Sequence, residues 1–416
     1  MSRLAILGGN PVFEQLPGYT HWPRGGEKEK EALLRTLHSG VWGGLGEENR
    51  RFSEAYAAYC QTRYALPVLN GTVSLELIFR ALGIGYGDEV IVPPYTFSAS
   101  VHSIALCGAM PVFADIDPET FNLDPASVEQ RITPRTRAIL GVHLGGRMFD
   151  ADALGGIAQR HGLYLIEDAA HAQGSEWKGC RAGSLGAAGS FSFQATKNIC
   201  SGEGGAITTN DPALYKKLWS LHAGGCAFGA EQEEHSWLGT NARLSEWQCA
   251  ILLARLERLD GDIELRMKNA AYLDKQLSEL PYFRALRADE RITRHSMHLY
   301  CFRYLPEGLD GLPRRIFIKA LAAELGNVVC EGYCDPIYEM AMLYSDDFQK
   351  MTGRTFVNPR EMLPGNERIA HAEGCWMTHS SLLGPQQDMD RIVEAFAKVG
   401  SGADELRKAF GQEEQK

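Results

Sequence analysis

The chain has 416 residues, of which 44% are hydrophobic and 23% charged, and a formal net charge of −10. This is the composition of a globular protein with length for one large packed unit and a smaller one. The acidic, mixed charge excludes a general basic face for nucleic acid or anionic lipid.

Ten cysteines are scattered from Cys60 to Cys375 without a CxxC pair or a paired histidine cluster, so reduced thiols and no metal are expected. The opening MSRLAILGGNPVF lacks the basic-then-apolar layout of a signal peptide. Apolar runs such as Ala138 to Val142 stop at Gly or a polar residue, far short of a membrane span. The expected setting is cytoplasmic, with no membrane partner.

After an entry punctuated by Pro and Gly to about Gly46, helical spacing predicts a helix from Glu47 to Cys60 and then a short strand from Tyr64 to Leu69. Asn70-Gly71-Thr72 follows. Leu75, Ile78, Phe79 and Leu82 form a helical stripe closed by Gly83, which completes a strand, glycine turn, helix unit. Glu89 to Val92, Pro111 to Ala114, Ala138 to Val142 and Tyr164 to Glu167 repeat the strand pattern at helix-length intervals. Such alternation implies a mainly parallel sheet covered on both faces.

Ser190 to Phe193 and Ala206 to Thr209 are further strands, too close together for a crossover helix, so the winding changes there. Capping residues open helices at Asp211 to His222 and Ser245 to Leu259, and the polar loop from Gly224 to Thr240 between them is a candidate lid. From Arg266 the pattern becomes a long helix and mixed short elements. The expected division is an arm and large domain over 1–265 and a small domain over 266–416.

The most informative segment runs from Phe191 through Lys197 to Gly205, with one lysine between an apolar strand and a glycine-rich turn. Burial would depress its pKa, which is what an amine needs to attack an aldehyde at neutral pH. A lone Lys-Asn reads as a solvated loop lysine; its company changes that reading. Asp168 ends an apolar strand, where ligands of open α/β sheets bind, and a carboxylate there can hold a proton on a pyridine nitrogen. Taken alone it also reads as a helix cap.

Asn70-Gly71-Thr72 offers backbone N–H groups, a hydroxyl and a positive helix end, a combination suited to a phosphate dianion. Neither a Walker lysine nor a GxGxxG spacing accompanies it, so one phosphate ester fits better than a nucleotide triphosphate or NAD. With an aromatic at Phe97 after another strand end, each part of pyridoxal phosphate has a partner. The order matches fold type I pyridoxal enzymes.

The chain resembles the sugar aminotransferases of the DegT/DnrJ/EryC1/StrS group. The likeness runs from Leu-Ala-Ile-Leu-Gly-Gly-Asn-Pro-Val at the start, through Gly87 to Phe97 and Glu167-Asp-Ala-Ala-His171, to Ser192-Phe-Gln-Ala-Thr-Lys197 and Gly202-Glu-Gly-Gly205. It implies a large domain with a mixed seven-stranded sheet and a smaller C-terminal α/β domain. Lys197 would carry pyridoxal phosphate as a Schiff base, Asp168 would pair with the pyridinium nitrogen, Phe97 would stack on the ring, and His171 would lie near the phenolic oxygen. Gly71, Thr72 and Ser192 would hold the phosphate. Asn241 matches an asparagine that reaches the neighbouring subunit's cofactor phosphate, which implies a homodimer.

The Gly-Gly opening, Asn241-Ala-Arg-Leu-Ser-Glu246 and Trp376 to Gly384 look closest to the branch that aminates keto-cyclitols with glutamine, near the aminohydroxybenzoate synthases. Gln194 stands where many sugar-nucleotide members have histidine. The expected reaction moves an amino group from glutamine or glutamate to a sugar or cyclitol ketone, with pyridoxamine phosphate as intermediate. The rivals are a dehydratase or aromatising synthase on the same scaffold and a non-catalytic regulatory protein. Arg243 reads equally as a clamp for the donor carboxylate and as a structural salt bridge, and Tyr333, Tyr338 and His379 resemble active-site edge residues although packing is the leading reading of each. His143 reads equally as a site residue or as a satisfied strand-end histidine, and Cys200 reads as small packing.

Overall fold

The computed structural model describes residues 3–15, 17–229 and 234–410. The alternating pattern builds β1 Tyr64–Val68, β2 Glu89–Val92, β3 Met110–Phe113, β4 Thr136–Val142 and β5 Tyr164–Asp168, then a small hairpin of β6 Glu176–Trp177 and β7 Cys180–Arg181, then β8 Ala188–Ser192 and β9 Gly205–Thr209. All but the hairpin join a seven-stranded sheet in the order β1-β9-β8-β5-β4-β2-β3. Neighbours from β3 to β8 pair parallel, and β9 runs antiparallel to both β8 and β1. β9 alone opposes the common direction. The short gap noticed in the sequence is this reversal.

Helices cover both faces because parallel strands connect only through crossovers. Gly71–Leu82 shows the local logic: the Asn70 side chain accepts from Val73 N–H, the apolar stripe is buried, and Gly83 ends the helix at φ 77°. The remaining strands are β10 Phe283–Ala285, β11 Ile292–Arg294, β12 Leu299–Tyr304, β13 Val329–Cys330 and β14 Gly374–Thr378. Four of them form an antiparallel sheet in the order β10-β12-β14-β13, while β11 pairs with β6 of the hairpin.

One helix, Glu246–Leu277, spans 32 residues and opens with the Ser245 N–H donating to Gln248 Oε1 at 3.3 Å. Two separate helices were the expectation from the sequence; Gly261 lies in open space and does not interrupt the run. Cys249, Leu252, Leu259 and Ile263 pack under the large sheet, whereas Ala270, Leu273 and Leu277 belong to the core of the four-stranded sheet. The 265/266 division therefore falls inside a helix. Leu4 and Phe13 pack into the second core, and Ile337, Leu343, Phe348, Phe356 and Leu363 pack into the first. Among the described residues, no helix is long and apolar enough to cross a membrane.

Glu167, fully buried in β5, fixes the loop before β8. Its carboxylate accepts from the N–H groups of Gly183, Leu185 and Gly186 at 2.7–2.9 Å and lies 3.0 Å from His143 Nε2. His143 Nδ1 accepts from Phe149 N–H, so Nε2 carries the proton and donates to Glu167. Glu167→Gln would turn an amide donor onto donors. We expect it to lower unfolding stability by about 1–3 kcal/mol, measured by urea denaturation.

Candidate active site

The residues after the carboxyl ends of β1, β2, β5 and β8 converge on one cavity of about 550 Å³. Such crevices are where open α/β sheets bind ligands. Gly71, Thr72, Phe97, Asp168, His171, Ser192, Lys197 and Tyr333 all line it. These are the phosphate turn, the aromatic, the carboxylate and the lysine read from the sequence, joined by one of the edge residues.

At the turn, Asn70 Oδ1 satisfies Val73 N–H at 2.9 Å, which leaves the Gly71 and Thr72 N–H groups at the positive helix end for an anion. The turn packs hard against β8 and β9. A Cβ on Gly71 would stand 3.1 Å from Ser192 Cβ, and one on Gly205 would stand 2.5 Å from the Asn70 carbonyl carbon. Glycine at both positions lets the phosphate turn approach the strands that carry the lysine.

Asp168 is buried and accepts from Ser100 Oγ at 2.8 Å and Ala170 N–H at 3.2 Å. Burial raises its pKa, opposed by those two hydrogen bonds and by the Lys197 charge. Lys197 lies in the segment between β8 and β9, with its N–H donating to Gln194 O at 2.9 Å. Burial lowers the amine from its usual 10.5 to about 8, and Asp168 opposes that shift. A carboxylate whose ionised form is supported by two hydrogen bonds, beside an amine made less basic, is the pairing that pyridoxal chemistry requires of its protein.

His171 is buried and its Nδ1 accepts from Gly145 N–H at 3.2 Å, so Nε2 is the protonated nitrogen. Burial first, and then the Lys197 charge, push its pKa well below the usual value, and it stays neutral. A neutral donor of this kind suits a phenolic oxygen. Phe97 is 60% exposed and lines the cavity, where its face is available to a bound ring.

His298, which sequence reasoning did not single out, also lines the cavity, its ring 4.3 Å from that of His171. The Asn198 amide donates to Ser296 O at 2.7 Å, so Asn198 Oδ1 accepts from His298 Nδ1 at 3.2 Å and Nε2 carries the lone pair. Trp376 lies 4.9 Å from Tyr333, edge to face, and both form the wall opposite the sheet. Neither His298 nor Trp376 follows a strand of the large sheet, so no strand-end signal marks them. Gln194 and Glu203 supply polar lining.

Four expected residues lie outside this lining. Tyr338 is a core residue: its hydroxyl donates to Glu367 and accepts from the Asn366 amide, and its ring packs on Phe113. His379 sits beneath the lysine segment, with Nε2 donating to Thr196 O at 3.0 Å. Asn241 is exposed, and the backbone of Arg243 bridges to Val68. Residues 224–229 and 234–240 of the proposed lid fold back on each other, Gly224 N–H donating to Thr240 O and Ala227 N–H to Glu234 O, while 230–233 lie outside the described residues. Cys200 is buried and burial raises its thiol pKa, in keeping with packing.

The model of the DegT/DnrJ/EryC1/StrS aminotransferase family matches residues 23–396, and the chain belongs to that family. It is 38% identical over 421 residues to the L-glutamine:2-deoxy-scyllo-inosose aminotransferase of Streptomyces paromomycinus, covering 95% of this chain and 97% of that one. The corresponding enzyme of Streptomyces kanamyceticus is 36% identical over 417 residues, with 96% and 97% covered. Among solved structures, 3-amino-5-hydroxybenzoic acid synthase superposes with a TM-score of 0.84 at 32% identity, covering 93% of this chain and 99% of that one. The protein is a pyridoxal-phosphate-dependent aminotransferase of fold type I.

The depressed lysine has a measurable consequence in the cofactor-free protein. Between about pH 8 and 10.5 the unfolded chain binds the Lys197 proton more readily than the folded one, so stability attributable to this group rises with pH across that window. Lys197→Met should remove that rise. Thermal unfolding of both proteins between pH 7.5 and 10.5, read as their difference, checks it.

Proposed function

We propose that the chain moves the amino group of glutamine to the ketone of a cyclitol, with glutamate as the alternative donor and a keto sugar as the alternative acceptor. The observation that carries this reading is the convergence of Lys197, Asp168, His171 and the Gly71-Thr72 turn on one cavity, in a chain whose relatives are named glutamine:scyllo-inosose aminotransferases.

On this reading Gly71, Thr72 and Ser192 hold the phosphate, Phe97 covers the ring, His171 Nε2 donates to the phenolic oxygen, and Lys197 anchors the cofactor. Pyridoxal phosphate, when bound, supplies a carbon for amine exchange and a ring that delocalises the electron pair left by the donor's α proton. Asp168 would keep the ring nitrogen protonated; its bonds to Ser100 and Ala170 favour the ionised carboxylate that this needs and oppose the effect of its burial. Lys197 Nζ takes the α proton and returns it to a neighbouring carbon; a pKa near 8 suits both directions at cellular pH. The same amine later serves the acceptor in the reverse sense.

Gln194 and Glu203 offer groups for a polyol's hydroxyls, and Tyr333 with Trp376 closes the far side. A homodimer completes the proposal. Leu34, Leu37, Val41, Trp42 and Leu45 are exposed apolar residues, and the segment that carries the last of them packs on Arg243 and Glu246 beside the exposed Asn241. That strip suits a subunit contact, across which Asn241 would meet the partner's phosphate. Arg243 has no ion-pair partner among the described residues and lies outside the lining of its own chain's cavity, so its guanidinium would meet a donor carboxylate only across that subunit contact. The likeness to 3-amino-5-hydroxybenzoic acid synthase keeps an eliminating, aromatising reaction as the second reading. Only transamination yields an oxo acid from the donor in step with product.

Two tests follow. Purified protein with added pyridoxal phosphate should show a visible band that borohydride removes, that glutamine bleaches, and that Lys197→Ala lacks; no band at all would defeat the catalytic reading. Asp168→Asn should lower kcat on the order of 10²–10³-fold while the unfolding midpoint changes little, as steady-state kinetics and calorimetry would show.

A further inference from the structure

Trp22, Arg255, Arg266 and His379 lie outside the cavity lining and directly under the segment that carries Lys197. Trp22 Nε1 donates to Lys197 O at 3.2 Å, His379 Nε2 donates to Thr196 O at 3.0 Å, and the two rings meet edge to face at 4.6 Å. Three guanidinium groups surround the same indole: Arg255 at 5.0 Å, Arg266 at 5.9 Å and Arg24 at 6.0 Å from its centroid.

Their hydrogen bonds do not balance. The Arg266 side chain is 0% exposed, and none of its three nitrogens has a hydrogen-bond partner; the nearest carboxylate, Asp262, stands 3.9 Å away, beyond bonding distance. Arg255 is 5% exposed and spends Nη1 on Arg24 O at 3.1 Å, leaving Nε and Nη2 unpartnered. Glu29 Oε1 forms an ion pair with Arg258 at 2.8 Å and stands 4.0 Å from Arg255, without a hydrogen bond to either.

Arginine cannot shed its proton to escape burial, and it offers donors only. Cation–π contact with Trp22 addresses the flat faces of the guanidinium groups but leaves their N–H edges empty. Water would supply acceptors without supplying charge. A buried cluster of donors with excess positive charge calls for an acceptor that is also negative. The ligand must be small, because Arg266 is sealed from solvent, and it is not the donor's carboxylate, because neither arginine reaches the cavity.

We propose that Arg255 and Arg266 form a buried site for a small monovalent anion of the halide class, beneath the lysine segment. The anion neutralises the pair and braces Trp22 and His379, through which the backbone of Thr196 and Lys197 is held. Its contribution is to the stability of the segment, separate from the reaction.

The test uses the cofactor-loaded protein exchanged into gluconate and titrated with sodium bromide at constant ionic strength. The unfolding midpoint should rise by roughly 2 °C between 1 and 100 mM bromide. Crystals grown in bromide and measured at its absorption edge should show an anomalous peak in contact with both guanidinium groups. Arg266→Met should abolish the bromide-dependent rise, whereas Arg255→Lys, which keeps the charge, should retain part of it. If Arg266→Met does not fold, the anomalous peak in the unaltered protein decides. Water density alone between the arginines, equal midpoints in bromide and gluconate, or a rise that survives in Arg266→Met would each overturn the proposal. None of these outcomes depends on the identity of the amino donor or acceptor.

Discussion

Asp168 and Lys197 face one cavity, and the same desolvation acts on both with opposite sign. Burial makes the carboxyl harder to ionise and the amine easier to neutralise, while each charge offsets the penalty on the other. Burial is the larger effect on both groups, and the neighbouring charge moderates it. The amine settles near 8, where it can give and take a proton, and two hydrogen bonds favour an ionised carboxylate. A pair balanced in this way tolerates little displacement, and the surrounding fold can be understood as what prevents it.

The sheet supplies most of that rigidity. β5 and β8 are adjacent and parallel, with Asp168 opposite Ser190, so the segment carrying Lys197 leaves β8 only two residues beyond the register position of the carboxylate. β9 then returns antiparallel and brings Gly205 against the phosphate turn. Along β5, neighbouring side chains point to opposite faces, and two consecutive acids have different tasks. Glu167 is satisfied by three backbone N–H groups and the His143 ring, which ties the loop before β8 to β5. Asp168 keeps acceptor capacity toward the cavity. One strand thereby anchors its neighbour and presents the carboxylate proposed to serve the cofactor ring.

Much of this was legible because the large sheet obeys a strong local code. Apolar runs followed by Asn-Gly-Thr, Asp-Ala-Ala-His or a lone Lys mark strand ends, and the ends of parallel strands converge in space. The C-terminal part has no such code. Tyr338 follows an extended segment and resembles an edge residue in sequence, yet it sits on a short 3-10 turn whose side chains fill the first core. His298, one residue before β12, and Trp376, in the neighbouring β14, reach the cavity from the four-stranded sheet through long-range packing that no spacing in the sequence records. The division at 265/266 misses the continuity of Glu246–Leu277 for a related reason: helical periodicity persists while the core that the helix faces changes.

What one chain leaves uncovered is as informative as what it buries. Phe97 stands in solvent at the cavity mouth, and Asn241 is exposed beside an apolar strip from Leu34 to Leu45. Exposed aromatic and aliphatic surface is costly over so many neighbouring positions, whereas isolated examples are ordinary. In the proposed dimer the strip is covered, and the same contact carries Asn241 toward the partner's phosphate turn. Assembly and catalysis would then share one interface, so that a subunit able to fold alone would still lack part of its phosphate site. Linking the two processes also explains why Asn241 and Arg243, whose side chains have no hydrogen-bond or ion-pair partner among the described residues, lie next to the apolar strip instead of lining the cavity of their own chain.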